Sequence, residues 1–332
     1  MTDLTRRACL LGLATLAAPS PLRAQGTGFG AVLERARTLE QLHALVIARE
    51  GDIVAAEALR GPSVDRPVNV KSVSKTVVAA LTGIAIARGE LPGVAATIGE
   101  VAPDLVPQGA APGAAGITVE DLLTLQAGLE RTSGANYGPW VASANWVADA
   151  LARPFVAEPG ERMLYSTGTT HVLGAILAEV SGQSLLELAR ERLGQPLEIE
   201  IPPWTRDPQG RYMGGNEMAL SPLALVRFGE AYRAGLDDAI PEGWAQASWT
   251  PRTRSRFSGD AYGYGWFLRE MAGHRAAYAR GYGGQMLWVI PSLGVTIAAT
   301  SDPTRPARSE GHAGALHALV AEAILPRVER RA

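Results

Sequence analysis

Apolar and polar positions divide the chain into strand-patterned ends and a helix-patterned middle. Residues 42–48 are mostly apolar, Glu50-Gly51-Asp52 reads as a turn, and residues 53–59 resume the strand pattern, which predicts an antiparallel hairpin. Over residues 72–88 nearly every face is apolar, and the segment is too long for a strand, so it predicts a buried helix. A connector rich in Pro, Gly and Ala spans residues 91–115. Thr118, followed by Glu120 and Asp121, then caps a helix running to Leu125. Helical patterns recur over residues 146–152, 170–181, 185–193 and 222–234. Beyond Pro251, residues 262–269, 286–290 and 295–300 read as strands, with Tyr262-Gly263-Tyr264-Gly265-Trp266 as an aromatic strand and 291–294 as a hairpin turn. A closing helix is expected over about 314–325, and no internal repeat is visible.

These elements imply a mixed α/β fold class. An antiparallel sheet built from N- and C-terminal strands would be flanked by helices, with a mostly helical inserted subdomain. In residues, the sheet region is expected at about 30–90 and 255–332 and the helical insertion at about 91–254, within one domain of 25–332.

The first 24 residues read as an address. Arg6-Arg7 opens an apolar run to Ala18, residues 19–21 break it, and Leu22-Arg23-Ala24 offers a small residue for cleavage. Paired arginines point to the twin-arginine route, hence a periplasmic or secreted protein cleaved near Ala24. The run is roughly half of the ~20 residues a membrane span needs, so no permanent anchor is expected. Cleavage would remove Cys9, the single cysteine, leaving no disulfide, thiol nucleophile or thiolate metal site.

With 47% hydrophobic residues the chain can bury a sizeable core, and 31 basic against 33 acidic residues give no cationic field for nucleic acid. Within the basic set only Lys71 and Lys75 are lysines. Ser72-Val73-Ser74-Lys75 puts a hydroxyl and an amine on one face at the start of the buried helix. A serine hydroxyl needs a base to become a nucleophile, and burial lowers a lysine pKa where an arginine would stay charged. Lys75 is therefore a candidate proton acceptor for Ser72; Lys71 has no role assigned from sequence.

The segment from Pro67 to Lys75 resembles the nucleophile motif of the serine β-lactamase and penicillin-binding fold, class C-like branch, which includes peptidases, esterases and 6-aminohexanoate-dimer hydrolases. Thr118 to Thr124 with Ala127-Gly128-Leu129, then Pro159-Gly160-Glu161-Arg162 with Tyr165-Ser166-Thr167, then Gly281-Tyr282-Gly283-Gly284-Gln285, are similar to further family segments in the same order. The resemblance implies Ser72 as acylated nucleophile, Lys75 as its partner and Tyr165 as general base or a sharer of that role. Lys75 would supply the charge that makes the phenol useful. Backbone amides of Ser72 and Gln285 would form the oxyanion hole, and Gly283 and Gly284 would let a substrate approach the strand. Thr167 stands where the family commonly has a substrate-binding asparagine, and Tyr282 where a cation or histidine faces a substrate carboxylate. Both departures favour an ester or a linear amide over a β-lactam.

The expected activity is an exported serine hydrolase acting on a small-molecule ester or amide, with no cofactor, metal or nucleic-acid partner. The alternatives are a D-alanyl-D-alanine peptidase or β-lactamase, and a non-catalytic penicillin-fold binding module. Tyr137, Trp140 and Trp146 are placed either in an acyl pocket or in packing; Gly214 to Met218 reads as a plain turn in preference to a loop near the site, and His171 as structural. His312 and His317 are five apart and do not share a helix face, and no His-Glu-X-X-His pattern occurs.

Overall fold

The computed structural model describes residues 28–236, 239–309 and 311–330; the signal-like segment at 1–24 lies outside them. Strands β1 (Leu42–Arg49) and β2 (Asp52–Ala58) form the expected hairpin. A short strand β3 (Val68–Asn69) pairs with β4 (Ala219–Leu220), apart from the main sheet. The remaining strands are β5 (Thr253–Arg254), β6 (Ala261–Tyr262), β7 (Phe267–Met271), β8 (His274–Gly281), β9 (Gln285–Ile290) and β10 (Val295–Ser301). Eight of them make one antiparallel sheet in the order β2-β1-β10-β9-β8-β7-β6-β5. The chain ends meet in it, with Ile47 opposite Ile297 and Val46 opposite Ala298.

Successive side chains on a strand point to opposite faces, and here both faces are covered. Leu45 and Ile47 join one core with Ile297, Trp288 and Tyr278, closed by α1 (Gly30–Arg37) and the C-terminal helices. Val46 and Ala48 face the other core, with Leu287, Val289 and Ala298 against α2 (Ser74–Ala87) and helix Pro222–Ala234. Every residue of β9 and β10 is consequently buried, the polar Gln285, Thr296, Thr300 and Ser301 included.

Helix α2 is buried on all sides from Ser74 to Ala85, as its sequence demands. Around it lie α3 (Ile98–Val101), α4 (Val119–Leu123), α5 (Tyr137–Val141), α6 (Trp146–Ala152), α7 (Thr167–Ser181), α8 (Leu185–Ala189), α9 (Pro222–Ala234) and α10 (Trp244–Ser248). Thr118 caps α4 through a reciprocal box with Asp121, whose carboxylate accepts from the Thr118 amide at 3.0 Å. The chain closes with α11 (His312–Ala318), a π-turn and α12 (Leu325–Glu329), four residues beyond the expected end.

Three expectations are corrected. Residues 262–269 are not one strand: β6 and β7 are separated where the Gly263 amide bonds back to the Trp266 carbonyl, at 3.0 Å. Gly265 there adopts φ +76° and lies so close to α2 that a Cβ would be 2.7 Å from that of Ala79, which sends Tyr264 and Trp266 into the helical core. Strand β8 was not expected, because His274 to Gly281 mixes small and charged residues without clear alternation. Its place is dictated by pairing with β7 and β9. Helix α7 starts at Thr167 rather than 170, because hydroxyls from another loop satisfy its first amides, as described next.

Candidate active site

The chain enters the site through β3 and a 3-10 turn (Lys71–Val73) that carries Ser72 into α2. Lys71 adopts φ +51°, a left-handed conformation costly for a side chain with a Cβ. Three contacts hold it: the Lys71 amide donates to Asn69 Oδ1 at 2.8 Å, Ser74 Oγ donates to the Lys71 carbonyl at 2.6 Å, and the Met218 amide donates to Ser74 Oγ at 3.2 Å. Ser72 is left half-buried at the end of this turn.

Lys75, one helical turn on, is 3% exposed. Its Nζ lies 3.1 Å from Ser72 Oγ, donates to the Gly215 carbonyl at 2.5 Å, and reaches Thr167 Oγ1 at 3.5 Å. No carboxylate accompanies it, so burial alone pushes its pKa down to about 7. Tyr165 stacks on Phe267, with ring centroids 6.3 Å apart, and the Lys75 amine sits 5.0 Å from the tyrosine ring centroid. The phenol interacts with the Ser72 hydroxyl. Burial raises its pKa, opposed by the charge of Arg280 and by that Ser72 contact. Both Lys75, over the ring, and Arg280 thus lie near Tyr165, and with burial the larger influence the phenol stays protonated at neutral pH.

Thr167 is buried at the first position of α7. Its amide donates to Ser133 Oγ at 2.9 Å and its hydroxyl lies 3.0 Å from the same oxygen. Thr132 Oγ1 accepts from the Gly168 amide at 2.6 Å, so Thr132 and Ser133 together cap α7. At 4% exposure Thr167 lines the lysine's enclosure and has no open face for a substrate.

The third motif is also rearranged. Gly281 ends β8 against the nucleophile turn, where a Cβ would be 2.3 Å from the Val70 carbonyl. Gly283 and Gly284, at φ +81° and +95°, form the β8–β9 turn. A Cβ on Gly283 would be 2.2 Å from the Asp302 carbonyl, and one on Gly284 would be 2.7 Å from the His312 ring. These glycines are required by that packing, because protein fills the position a Cβ would take on each. Tyr282 projects from the apex, 53% exposed. Gln285 is fully buried on β9 between β8 and β10, and its side chain bonds the Ser301 backbone, donating to the carbonyl at 2.8 Å and accepting from the amide at 3.0 Å.

The segment 214–218, which reads from sequence as a plain turn, is a strap across the site. Gly214 and Gly215 lie on α7 so closely that Cβ atoms would be 2.5 Å from the Thr170 carbonyl and 2.6 Å from the Thr167 carbonyl. The Gly214 amide donates to His171 Nδ1 at 3.3 Å, which leaves the ring proton on Nε2 facing Asp207 Oδ2 at 3.2 Å. Burial lowers the His171 pKa, so the ring is neutral at pH 7. Trp140 and Trp146 pack edge-on against this imidazole and are buried, which places them in packing and not in an acyl pocket. Tyr137 instead accepts from Asn216 Nδ2 at 3.0 Å. Lys71 gains an account here: its amine pairs with Glu217 at 3.0 Å, and Asn69 Nδ2 donates to the same carboxylate at 2.5 Å. Sequence reasoning missed Ser133 and ranked the segment holding Gly215 and Glu217 as a plain turn in preference to a loop near the site; its Gly-Gly pair followed by Asn-Glu was the available signal.

Among the described residues no cluster of three His, Cys, Asp or Glu is placed to hold a metal ion. His312 Nε2 lies 2.9 Å from Ser301 Oγ, and His317 accepts from Trp288 Nε1 at 3.3 Å, so the two have separate packing partners.

The family model described as Beta-lactamase matches residues 36–322. A search of curated proteins found no significant match. Among solved structures, the octameric penicillin-binding protein homologue from Pyrococcus abyssi superposes with a TM-score of 0.70 at 18% identity, over 89% of this chain and 76% of that one. A candidate 6-aminohexanoate-dimer hydrolase from Bacillus anthracis gives 0.73 at 16% identity, over 90% and 82%. EstCE1, a hydrolase with promiscuous acyltransferase activity, gives 0.70 at 18% identity, over 86% and 98%. At such identities these likenesses carry the fold alone.

Proposed function

The chain belongs to the Beta-lactamase family, and on that premise we propose that it is an exported serine hydrolase that cleaves an ester or linear amide through an acyl-enzyme on Ser72. The family is generally hydrolytic; the serine mechanism, the substrate and the export are this proposal's own content. The observation that carries it is the Lys75 amine, enclosed, shifted to about pH 7 and 3.1 Å from Ser72 Oγ.

In the proposed reaction Ser72 Oγ attacks the substrate carbonyl and its proton passes to neutral Lys75. The tetrahedral intermediate collapses, the bond to the leaving group breaks, and Tyr165 donates its phenolic proton to the departing oxygen or nitrogen. Lys75 returns its proton to Tyr165. Water then attacks the acyl-enzyme, gives a proton to Lys75, and the acid departs as Ser72 is reprotonated. A phenol held protonated suits a donor to the leaving group, while the amine suits the base.

The oxyanion would be held by the Ser72 amide and a second backbone donor just past the end of β8, the Tyr282 amide. Gln285, enclosed between two strands, is replaced in this role. The Gly281 carbonyl accepts from the Gly284 amide, so Gly281 directs its polar groups toward the turn. Tyr282, the first residue of that turn, would then present its amide at the edge of β8 away from β9. That edge is open there, because β7 pairs with β8 only as far as Phe267 opposite Tyr278. Thr167, with one buried hydroxyl in place of an amide, supports an ester or linear amide over a β-lactam.

Treatment with a fluorophosphonate probe, followed by mass spectrometry of the peptide containing Ser72, tests the mechanism. An adduct on Ser72 that Ser72→Ala abolishes is expected; labelling elsewhere, or none, would refute it. For export, a mature N-terminus near residue 25 that disappears when Arg6-Arg7 become Lys-Lys is expected.

A further inference from the structure

Three arginines from separate segments converge on one exposed aromatic ring. Phe257, at the tip between β5 and β6, is 42% exposed. The guanidinium carbons of Arg131, Arg256 and Arg308 lie 5.5, 5.5 and 5.7 Å from its ring centroid. Arg308 also donates to the Phe257 carbonyl. Among the described residues no carboxylate forms an ion pair with any of the three. Glu130, beside Arg131 in sequence, is instead held by Arg153 at 2.9 Å. Three cations around one ring gain cation–π attraction but repel one another, and an anion between them would relieve that repulsion.

Two of the three arginines are close along the chain to residues that pack at the site. Arg131 is two residues before Ser133, whose Oγ contacts Thr167 beside Lys75. Arg308 lies on the loop that follows β10, which begins where Asp302 and Pro303 pack against Gly283 in the β8–β9 turn. Meanwhile the position where the resemblance places a substrate-facing cation or histidine holds Tyr282, whose side chain offers a hydroxyl instead.

We propose that Arg131, Arg256 and Arg308 bind a carboxylate at the far end of a linear substrate whose ester or amide carbonyl reaches Ser72. Guanidinium forks match the two oxygens of a carboxylate, and Phe257 supplies the flat apolar surface on which they stack. The substrate class is then an ω-carboxyacyl ester or amide. This rests on the hydrolase reading above.

The test uses 4-nitrophenyl esters of succinate, adipate, suberate and sebacate, each as the free acid and as its ω-methyl ester. One chain length is expected to show about a tenfold higher kcat/KM for the free acid, equivalent to ~1.4 kcal/mol, carried mainly by KM. High salt should shrink the preference, as exposed charges are screened beyond about 10 Å at 0.1 M. In the triple variant Arg131→Gln, Arg256→Gln, Arg308→Gln the preference should vanish. Both esters are compared on the same preparation, so any loss of folded protein cancels in the ratio. Turnover of the methyl esters with no acid preference at any length would overturn this proposal and leave the hydrolase reading standing. No turnover of either form would refute the hydrolase reading itself. Calorimetric titration with suberate against octanediol gives an answer independent of turnover. Suberate is expected to bind the wild type and not the triple variant; equal binding of the diol, or tighter binding of hexyl phosphate, would overturn the assignment.

Discussion

The Gly215 carbonyl accepts from the Lys75 amine at 2.5 Å, and the same nitrogen lies 3.1 Å from Ser72 Oγ. A neutral amine has two N–H donors and one lone pair. Spending a donor on Gly215, with Thr167 Oγ1 within 3.5 Å as a second acceptor, turns the lone pair toward the serine hydroxyl. The strap at 214–218 therefore orients the base as well as covering it.

The acid limb of activity is expected to report Lys75. For a neutral ester, kcat/KM should rise with pH through an apparent pKa near 7 and level off above it, because the deprotonated amine is the active form. Lys75→Arg retains the charge and removes the acceptor, and a loss of about 10²–10⁴-fold is expected, within the usual worth of a positioned base. A pH–rate profile of both proteins checks this.

The same shift predicts a stability signature. Lys75 has a folded-state pKa of about 7 against 10.5 for an ordinary lysine, so between those values the unfolded chain binds more protons and stability rises with pH. Its penalty is largest below pH 7 and gone above 10.5. Lys75→Met should accordingly raise the melting temperature more at pH 6 than at pH 10. An equal difference at both would contradict the buried neutral amine.

His171 acts on the base only through the strap. Replacing it with Phe keeps the packing against Trp140 and Trp146 but removes the acceptor for the Gly214 amide. Activity is expected to fall about tenfold, near the cost of one lost buried hydrogen bond of ~1 kcal/mol or somewhat more. The acid limb should move to higher pH as water reaches Lys75. A purely structural role would lower the melting temperature without moving that limb.

Gly281→Ala tests the junction between β8 and the nucleophile turn. The added methyl would lie 2.3 Å from the Val70 carbonyl, where only backbone can yield. Displacing the turn or the strand disturbs the oxyanion donors, for which losing one costs about 10²–10³ in rate. A loss of that size in kcat is expected, against a fall of only a few degrees in melting temperature.

Much of this was legible in the sequence. The mostly apolar run at 72–88 signalled an element buried on every side, and the capping residues of Thr118 marked a helix start that forms as written. Strand β8 was illegible because small and charged residues carry no alternation; pairing with β7 and β9 makes it a strand. The split of 262–269 was hidden for a similar reason, since only contact with α2 obliges Gly265 to turn.

At the site, residue types and spacing named Ser72 and Lys75, because a hydroxyl and a titratable amine three apart on a helix need nothing else to share a face. What tertiary structure alone decided was the state of those groups. The pKa of Lys75 depends on how fully 214–218 and α7 exclude water, and the protonated state of Tyr165 on its burial and on Arg280. Lys71, unexplained as a letter in the sequence, acquired a partner in Glu217, 146 residues away. Local pattern sets which chemistry the side chains can offer; long-range packing sets solvent access and neighbouring charge, and through them which proton each group holds.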